Sequence, residues 1–513
     1  MAVISRIFSY FSITHNTSPT SKLTNRLSEY VFPIERHELS KFLYVTLLMF
    51  CILFIQNIIR ALKDSLVNTM IGTETVSFLK FWGVLPSAFL LSIIYVKLVN
   101  NIKGEYIFYL ILSIFLLFFA LFAFYIFPNH LAFHLSSEHA GILIKSYPNL
   151  KWFILLLSNW SFSLFYIIAE LWPSVIFALL FWQFVNNITS VEQSKRFYPL
   201  FGLLAQTGIY ISGKFLENLA YLNQLLIKKF DLQHTETELS VQIILGCVLV
   251  FGLIALATFW MLNHKILDKA QVEKLQFSVK RQSITLIESF KMVIASRYIR
   301  LIATLLICYG IAINLVEGPW KASVSKIYTT PTEYAAFVGN YLSITGIFTI
   351  LFVILGSNIV RKLGWFTAAI ITPIMVFITG MLFFLVSNFD GLSAMIVVSF
   401  MLTDPSLIAI TMGVVNNVLS KSSKYTLFDS TKEMSYVPLD IELKTKGKAA
   451  ADVISTKLGK SASALLQSLI FIILPCATYQ SISIYLMIVF GIICIIWMWV
   501  IRELNKEYTN ITS

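Results

Sequence analysis

Charged side chains interrupt several of the long apolar segments in this 513-residue chain, and they are the residues whose types could do chemistry. Six of them stand inside or at the end of such segments: Arg60, Lys63, Asp64, Glu170, Glu317 and Lys321. Lys80, Lys214 and Asp404 are further candidates. A charge at the centre of a membrane helix costs about 2.5–3.5 kcal/mol on insertion scales, so it persists where a cavity, a partner or a function offsets that cost. These residues therefore predict a polar site inside the membrane that binds a charged substrate. The alternative is that they only pair or snorkel at helix ends.

Lysines crowd a second region late in the chain: Lys444, Lys446, Lys448, Lys457 and Lys460. Ammonium groups and helix N-termini both favour phosphate oxygens, so this region predicts binding of a polyanion, with Lys446 and Lys460 as candidate ligands. Gly459-Lys460-Ser461 matches the end of a phosphate-binding P-loop, but that motif needs another glycine at position 454, where the chain has Ile454. No strand is predicted before it. We therefore exclude ATP hydrolysis at this position.

Sequence motifs of metalloproteases, kinases and serine hydrolases do not occur elsewhere in the chain, and we predict no catalytic residue. The five cysteines lie in apolar runs without CxxC spacing, which argues against a metal site and against a disulfide framework. We therefore predict neither a metal nor a cofactor.

Aromatic residues make up 15% of the chain, and some stand near the charged positions. Four are candidates for stacking on a planar base: Trp172, Tyr198, Trp320 and Tyr436. The alternative for each is ordinary packing, which is the commoner role of aromatic residues in membrane helices.

The composition of the whole chain sets the environment in which these residues must act. Hydrophobic residues make up 57% and charged residues 13%, against about 25% charged residues in soluble domains. The mean hydropathy is +0.77, so a water-facing fold has too little polar surface to cover the chain. The composition predicts a polytopic membrane protein in contact with the lipid bilayer. It excludes a secreted disulfide scaffold and a cytosolic enzyme as descriptions of the whole chain.

The formal net charge of +12 does not indicate a nucleic-acid partner, because many of the basic residues concentrate in one central segment, 264–300. Cytoplasmic segments of membrane proteins carry an excess of Lys and Arg, and this segment follows that rule. With it on the inside, both termini are predicted to be cytoplasmic as well.

A membrane helix needs about 20 apolar residues, and such runs predict twelve spans in an all-α fold. The fourth is one tilted helix within 152–191, kinked at Pro173, and the tenth ends near Leu419 before a cytoplasmic connection at 421–448. The predicted segments are a cytoplasmic N-terminal segment (1–41), an N-terminal six-helix bundle (42–263), a basic cytoplasmic linker (264–300), a C-terminal six-helix bundle (301–502) and a cytoplasmic tail (503–513).

The two predicted bundles repeat the same residues in the same order. Pro173-Ser174 precedes Asn186-Asn187 in the first bundle, and Pro405-Ser406 precedes Asn416-Asn417 in the second at nearly the same separation. Parallel six-helix repeats are typical of major-facilitator carriers, whose substrate lies between the repeats near the membrane midplane. The repeat therefore predicts a major-facilitator-like transporter rather than a channel or a membrane-embedded enzyme.

Specific blocks of residues also match a known family: Ala61-Leu62-Lys63-Asp64-Ser65, Ala169-Glu170-Leu171-Trp172, Asn187-Ile188-Thr189, Lys195 to Gly202, Leu315-Val316-Glu317 with Trp320-Lys321, Phe428 to Asp440 through Lys432, Leu443 to Ala450, and Leu458 to Ser461. Together they resemble the bacterial and plastid nucleotide transporter (ATP/ADP translocase) family from about Lys41 to Arg502. The chain departs from the family at Pro173, where glycine is usual, and at Gly318-Pro319, which interrupts a motif.

The resemblance implies a carrier of ATP, ADP or another nucleotide, of the kind with which obligate intracellular bacteria import host nucleotides. It also implies that the residues matching Lys63, Glu170 and Glu317, with a lysine of the last block, handle the substrate. With the charges described above, the predicted substrate-binding residues are Lys63, Glu170, Asn187, Glu317, Lys321, Lys432, Lys446 and Lys460. No obligate protein partner is implied.

The predicted function is nucleotide transport across the bacterial inner membrane by alternating access, with counter-exchange. The departures from the family leave open proton-coupled import of GTP, UTP or CTP. A more distant alternative is a membrane-embedded transferase that uses a nucleotide or a polyprenyl phosphate. Such an enzyme needs clustered acidic metal ligands, whereas the intramembrane charges of this chain are scattered and include more lysines than acids.

Overall fold

A computed structural model describes residues 34–35, 37–102, 104–231, 235–267, 295–389, 405–439 and 448–512. Within these ranges the regular structure is helical and no strand occurs, which agrees with the predicted all-α class. Most of the predicted basic linker lies outside the described residues, and Lys446 lies outside them as well.

The N-terminal half of the molecule, 39–266, contains six long helices with shorter ones between them. They are α1 (Leu39–Met70), α2 (75–101), α3 (104–126), α4 (160–188), α5 (Val191–Glu217) and α6 (236–266). Ser190 begins α5 with a capping box, because its hydroxyl accepts from the backbone N–H of Gln193 and the Gln193 side chain accepts from the Ser190 N–H. This reciprocal cap satisfies two backbone donors and lets α5 start directly after α4.

Proline shapes the middle of α4. Pro173 has no backbone N–H, and the helix widens into a π-helical segment over Pro173–Phe181. The residues before Trp160 form a separate short helix, Lys151–Ser158, because Asn159 leaves the helical region at φ −111° and ψ 45°. The structure therefore keeps one proline-distorted fourth span but moves its start from residue 152 to Trp160.

The C-terminal half, 297–512, contains α7 (Arg297–Ile327), α8 (331–363), α9 (365–388), α10 (405–436), α11 (Lys448–Ile473) and α12 (Tyr479–Thr512). Gly364 separates α8 from α9 with φ 80°, a left-handed conformation that glycine adopts without strain. The helix α10 continues past Leu419, where the tenth span is predicted to end, through a π-helical turn, Lys424–Phe428, to Tyr436, so the first part of the predicted 421–448 connection is helical.

Among the described residues, nine helices are long and apolar enough to cross a membrane. The helices α5, α10 and α11 are not in that set, although α11 has a shorter apolar stretch, Leu458–Ile473. Polar residues persist in membrane helices mainly on surfaces that face a cavity or another helix rather than lipid. A multi-pass helical architecture is therefore established, and the number of twelve spans stays a prediction.

The two halves approach each other most closely where α5 crosses α8. A Cβ atom on Gly213 would lie 2.6 Å from the carbonyl oxygen of Gly339, and the reverse distance is also 2.6 Å. Only residues without side chains allow two helix backbones to meet in this way. The Ser240 hydroxyl lies 2.8 Å from that of Thr332 at the same end of the molecule. We call this end, where α1 terminates and α8 begins, the sealed end.

Candidate substrate site

Asp64 joins the two halves at the centre of the molecule. One of its carboxylate oxygens lies 2.7 Å from Lys63 Nζ on α1, and the other lies 2.9 Å from Lys321 Nζ on α7. The Lys63 and Lys321 side chains are only 2% and 7% exposed. Buried charges persist when they are paired, so this carboxylate is the electrostatic link between the halves.

Lys63 makes a second ion pair within the N-terminal half. Its Nζ lies 3.1 Å from Glu170 Oε2 on α4 and 4.0 Å from the centre of the Tyr166 ring. Tyr166 and Glu170 stand four residues apart on α4, so they share one helix face. Lys63 is thus balanced by two carboxylates and an aromatic face.

Glu317 lies close to basic side chains from both halves. Its carboxylate lies 2.9 Å from Lys321, one turn further along α7, and 3.2 Å from Lys80 on α2. Lys80 also donates to Asn314 Oδ1 at 2.7 Å. Arg60 reaches Glu317 at 3.9 Å, and its side chain is 46% exposed. The structure therefore brings together Lys63, Glu170, Glu317 and Lys321, as the sequence predicts, into one mixed-charge cluster.

Arg60, Asp64 and Lys80 belong to this cluster but are not among the predicted substrate-binding residues. Each is a charged residue in or beside an apolar segment, and that signal is visible in the sequence. Their importance depends on partners from other helices, which one sequence does not reveal.

A small cleft adjoins the cluster between the halves. Its lining includes Lys80 and Glu317 together with Gln467 of α11 and Tyr479 of α12. The Tyr479 hydroxyl donates to Gln467 Oε1 at 2.7 Å, and the Gln467 amide donates to the Asn314 carbonyl oxygen at 3.3 Å. The cluster thus borders a cleft that is lined by residues from both halves.

Hydrogen bonds close the sealed end next to this cluster. Asn68 Nδ2 donates to the Tyr334 hydroxyl at 2.9 Å, from α1 to α8. The backbone N–H of Tyr479 donates to Glu74 Oε1 at 3.2 Å, from α12 to the segment before α2. Both bonds cross between the halves, so separating the sealed end requires breaking them.

The predicted lysines of the last block lie in different places. Lys460 is exposed on α11. Lys432 lies on the last turns of α10, where its Nζ pairs with Asp452 at 3.1 Å and with Glu433 at 2.9 Å. Among the described residues, the partners of Lys432 belong to α10 and α11, and no ion pair joins Lys432 or Lys460 to the mixed-charge cluster.

Asn187 lies in a second cavity inside the N-terminal half. The lining of this cavity includes Tyr95, Glu105, Gln183 and Asn263 besides Asn187. Tyr95 hydrogen-bonds to Gln183 across it, from α2 to α4. Asn187 is thus not brought to the mixed-charge cluster, and its predicted role in substrate binding stays a prediction.

The two candidate tryptophans are buried and hydrogen-bonded within the protein. Trp172 is fully buried, and its indole N–H donates to the Ile52 carbonyl oxygen at 3.2 Å. Trp320 is 4% exposed and donates to the Ile410 carbonyl oxygen at 3.1 Å. Buried aromatic residues whose polar atom is satisfied are typical of helix packing, which favours that alternative for both.

The two candidate tyrosines also have protein partners. Tyr436 is 2% exposed, and its hydroxyl donates to Asp452 Oδ1 at 3.2 Å. The Tyr198 hydroxyl donates to Asn186 Oδ1 at 2.6 Å, and its ring lies 5.2 Å from that of Trp182 in an edge-on arrangement. Stacking of Tyr198 or Tyr436 on a base stays a prediction, and packing explains what the structure shows.

Two helical halves that enclose paired charges at their interface have the architecture of a secondary membrane carrier. Solved transporter structures share this fold. A bacterial homologue of the human lysosomal transporter Spinster superimposes with a TM-score of 0.56 at 10% identity, over 93% of this chain and 99% of that chain. A mutant of the nucleoside transporter NupG superimposes with a TM-score of 0.56 at 8% identity, over 90% and 99%. The predicted major-facilitator-like fold is confirmed.

Sequence comparison identifies the family. The model of the TLC ATP/ADP transporter family matches residues 17–508. ADP,ATP carrier protein 4 of Rickettsia bellii is 70% identical over 501 residues, which are 98% of this chain and 96% of that protein. The protein of the same name from Rickettsia prowazekii is 68% identical over 97% of this chain and 98% of that protein. The chain belongs to the TLC ATP/ADP transporter family, so the resemblance predicted from its sequence is confirmed and it is a transporter rather than an enzyme.

Proposed function

We propose that this chain exchanges ATP and ADP across a bacterial inner membrane by alternating access. The observation that carries the proposal is the chain of ion pairs from Glu170 through Lys63 and Asp64 to Lys321, which crosses between the halves. The names of the Rickettsia relatives, ADP,ATP carrier protein 4, support ATP and ADP as the substrates.

The ion pairs provide a physical reason for exchange. Opening the sealed end separates Asp64 from Lys321 and Glu317 from Lys80, because each pair spans the two halves. Removing one partner of a buried pair costs about 3–5 kcal/mol, so an empty carrier reorients slowly. A bound nucleotide supplies phosphate oxygens that replace the lost carboxylates. Reorientation is therefore faster with substrate than without it, which is the behaviour of an exchanger.

The membrane orientation follows from the distribution of charge. The central basic segment, 264–300, is cytoplasmic by the positive-inside rule, and both termini lie on the same side. Because α1 runs from its cytoplasmic end towards Met70, the sealed end faces away from the cytoplasm. The conformation described here is then open towards the cytoplasm.

Uptake of labelled nucleotides by bacterial cells that express the chain tests the proposal. We expect uptake of labelled ATP above that of cells with an empty vector, and strong competition by unlabelled ADP. Competition by GTP, UTP and CTP in the same assay measures the preference for the base. Expression in the membrane without uptake of any of these nucleotides would overturn the proposal. Uptake of GTP, UTP or CTP in place of ATP would show that the transported nucleotide is not ATP.

A further inference from the structure

We propose that the segment between α3 and α4, residues 127–159, lies on the membrane surface at the sealed end and inserts its exposed apolar side chains between the lipid headgroups. This lipid-binding surface is separate from the substrate site and goes beyond the proposed function. The segment contains the short helices His130–Phe133, Ser137–Ser146 and Lys151–Ser158. Each of these helices is too short to cross a membrane.

Two contacts place the segment at the sealed end. A Cβ atom on Gly72, which follows α1, would lie 3.6 Å from the Trp152 ring. Asn149 Nδ2 donates to the carbonyl oxygen of Ile472, near the end of α11 in the other half, at 2.9 Å. The helix α3 has 23 residues, enough to cross the hydrocarbon core, so its last residue, Ile126, lies at the level of the headgroups. The segment therefore begins at the membrane surface.

The segment carries large apolar side chains that the described parts of the protein leave uncovered. Leu131 is 83% exposed and Ile142 is 57% exposed, and Leu143 and Leu150 are exposed as well. Burial of one such side chain is worth about 1.5–3 kcal/mol, so a group of them in contact with water is costly. Groups of exposed apolar residues typically mark a surface that contacts a membrane or another protein.

The apolar surface of the segment continues into the outer surface of α3, and this continuity identifies the partner as lipid. Tyr125, near the end of α3, is exposed, and its ring lies 5.9 Å from that of Phe133. The indole N–H of Trp160, which begins α4, donates to the Phe133 carbonyl oxygen at 3.0 Å. Tyrosine and tryptophan are enriched where a membrane meets water. Because the exposed apolar side chains of α3 face lipid, the adjoining surface of the segment meets the same leaflet.

The helix Ser137–Ser146 has the character of a helix that lies along a membrane surface. Ala140 is buried against the protein, whereas Ile142 and Leu143 are exposed. Lys145 is exposed in the last turn of the same helix. Interfacial helices combine apolar side chains, which enter the boundary between headgroups and acyl chains, with basic side chains that attract anionic lipids. The expected partner is therefore a phospholipid leaflet that contains anionic headgroups.

Spin labelling of the full chain in lipid nanodiscs that hold one copy each tests the proposal. Cys476, which is exposed, is first replaced by serine, and the other four cysteines are buried or partly buried. A nitroxide is then attached in Leu131→Cys or Leu143→Cys. Its relaxation is measured with oxygen, which concentrates in lipid, and with a nickel chelate, which stays in water. Thermal melting checks that each variant is folded.

Two matched positions provide the references for lipid and for water. Leu117 is exposed on the outer surface of α3, so Leu117→Cys reports lipid. Asn510 is exposed near the end of α12, beyond the length that a membrane span requires, so Asn510→Cys reports water.

We expect oxygen to relax the labels at positions 131 and 143 several-fold more than the nickel chelate does, as at position 117. The label at position 510 should show the opposite preference. Labels at 131 and 143 that behave like the one at 510 would show that the segment faces water, and the proposal would be wrong. Weak relaxation by both reagents would show that protein covers these side chains, which would also overturn it. Neither result depends on which nucleotide the chain transports.

Discussion

The two ends of the interface between the halves differ in how completely their charged side chains are paired. Towards the sealed end, two ion pairs cross between the halves: Asp64–Lys321 at 2.9 Å and Lys80–Glu317 at 3.2 Å. Towards the other end, Arg60 is nearly half exposed and lies 3.9 Å from Glu317, and Lys421 donates to the Tyr341 hydroxyl. The first arrangement holds the halves together, and the second leaves positive charge that is less completely neutralised by carboxylates.

This difference indicates how a carrier can couple substrate binding to the relative movement of its two halves. On the proposed function, the buried ion pairs stabilise the closed end in the absence of substrate, while basic residues that are less completely neutralised attract an anionic substrate from the open end. When phosphate oxygens take over as partners of the cations, the cost of separating the matched pairs falls. A ligand shifts a conformational equilibrium only through such a difference in its interactions with the two states.

Loss of Lys63 should have the largest effect on this balance. Lys63→Gln leaves Asp64 and Glu170 without their shared cation at a buried position, a change that costs about 3–5 kcal/mol. We expect ATP uptake to fall to background while the variant still inserts into the membrane. Uptake assays with a membrane immunoblot check this, and normal transport by the variant would remove Lys63 from the mechanism.

The glycine contact tests the sealed end by packing rather than by charge. In Gly213→Ala, the new Cβ lies within 2.6 Å of backbone atoms of α8 unless the helices move apart. Overpacking costs about 1–3 kcal/mol, so closure of this end should weaken and ATP exchange should fall by roughly tenfold. Gly246→Ala is the matched control, because a Cβ there meets nothing within 4 Å. Equal activity of the two variants would show that the α5–α8 contact does not limit transport.

Glu317 distinguishes pairing from proton transfer. If the carboxylate only pairs with Lys80 and Lys321, Glu317→Gln should lower transport several-fold by the same factor at each pH. Uptake by the parent and the variant, measured over a series of external pH values, decides between the two roles. An increase of parent uptake on acidification that disappears in Glu317→Gln or Glu170→Gln would instead indicate proton coupling.

A smaller effect is expected at Glu38, just before α1 and outside the cluster. Burial raises the pKa of Glu38, but the hydrogen bond from Gln193 and the charge of Arg196 outweigh it, so the pKa lies below its ordinary value. A carboxylate with a lowered pKa stabilises the folded state at neutral pH, and this contribution is lost as the pH falls through the lowered pKa. We expect Glu38→Gln to cost about 1 kcal/mol at neutral pH.

Thermal melting in detergent checks the Glu38 prediction. The difference in melting temperature between the parent and Glu38→Gln should be present at neutral pH and should shrink on acidification. Arg297→Gln is a suitable comparison, because Arg297 is 61% exposed and its pair with Glu503 at 3.2 Å is a surface pair of small energetic value. A difference for Glu38→Gln that stays constant with pH would contradict the assigned role.

The sequence predicts the cluster in part because intramembrane charges are rare and costly. Lys63, Glu170, Glu317 and Lys321 stand out for that reason, and the structure brings all four together. Lys421 does not stand out, because the serine- and lysine-rich stretch after Leu419 has the composition of a loop. The helix continues there within a packed bundle, and tertiary packing overrides the local preference.

The start of α4 and the place of Asn187 show the same limit. The apolar run from residue 152 has no charge to mark a break, and the irregular backbone of Asn159 depends on how the short helices before α4 pack. Asn187 repeats in the second half as Asn417, which suggests a shared role, yet Asn187 lines a cavity within one half. Repetition indicates common ancestry of the halves and does not by itself locate the site.

Counter-exchange in reconstituted vesicles tests the central claim most directly. Liposomes that contain the purified chain are loaded with ADP or left empty, and the initial rate of labelled ATP uptake is measured in both. If substrate must replace the buried ion pairs before the carrier reorients, the initial rate of ATP uptake should be several-fold higher in the loaded vesicles than in the empty ones. Equal rates in empty vesicles, driven by a proton gradient, would contradict the account and favour symport.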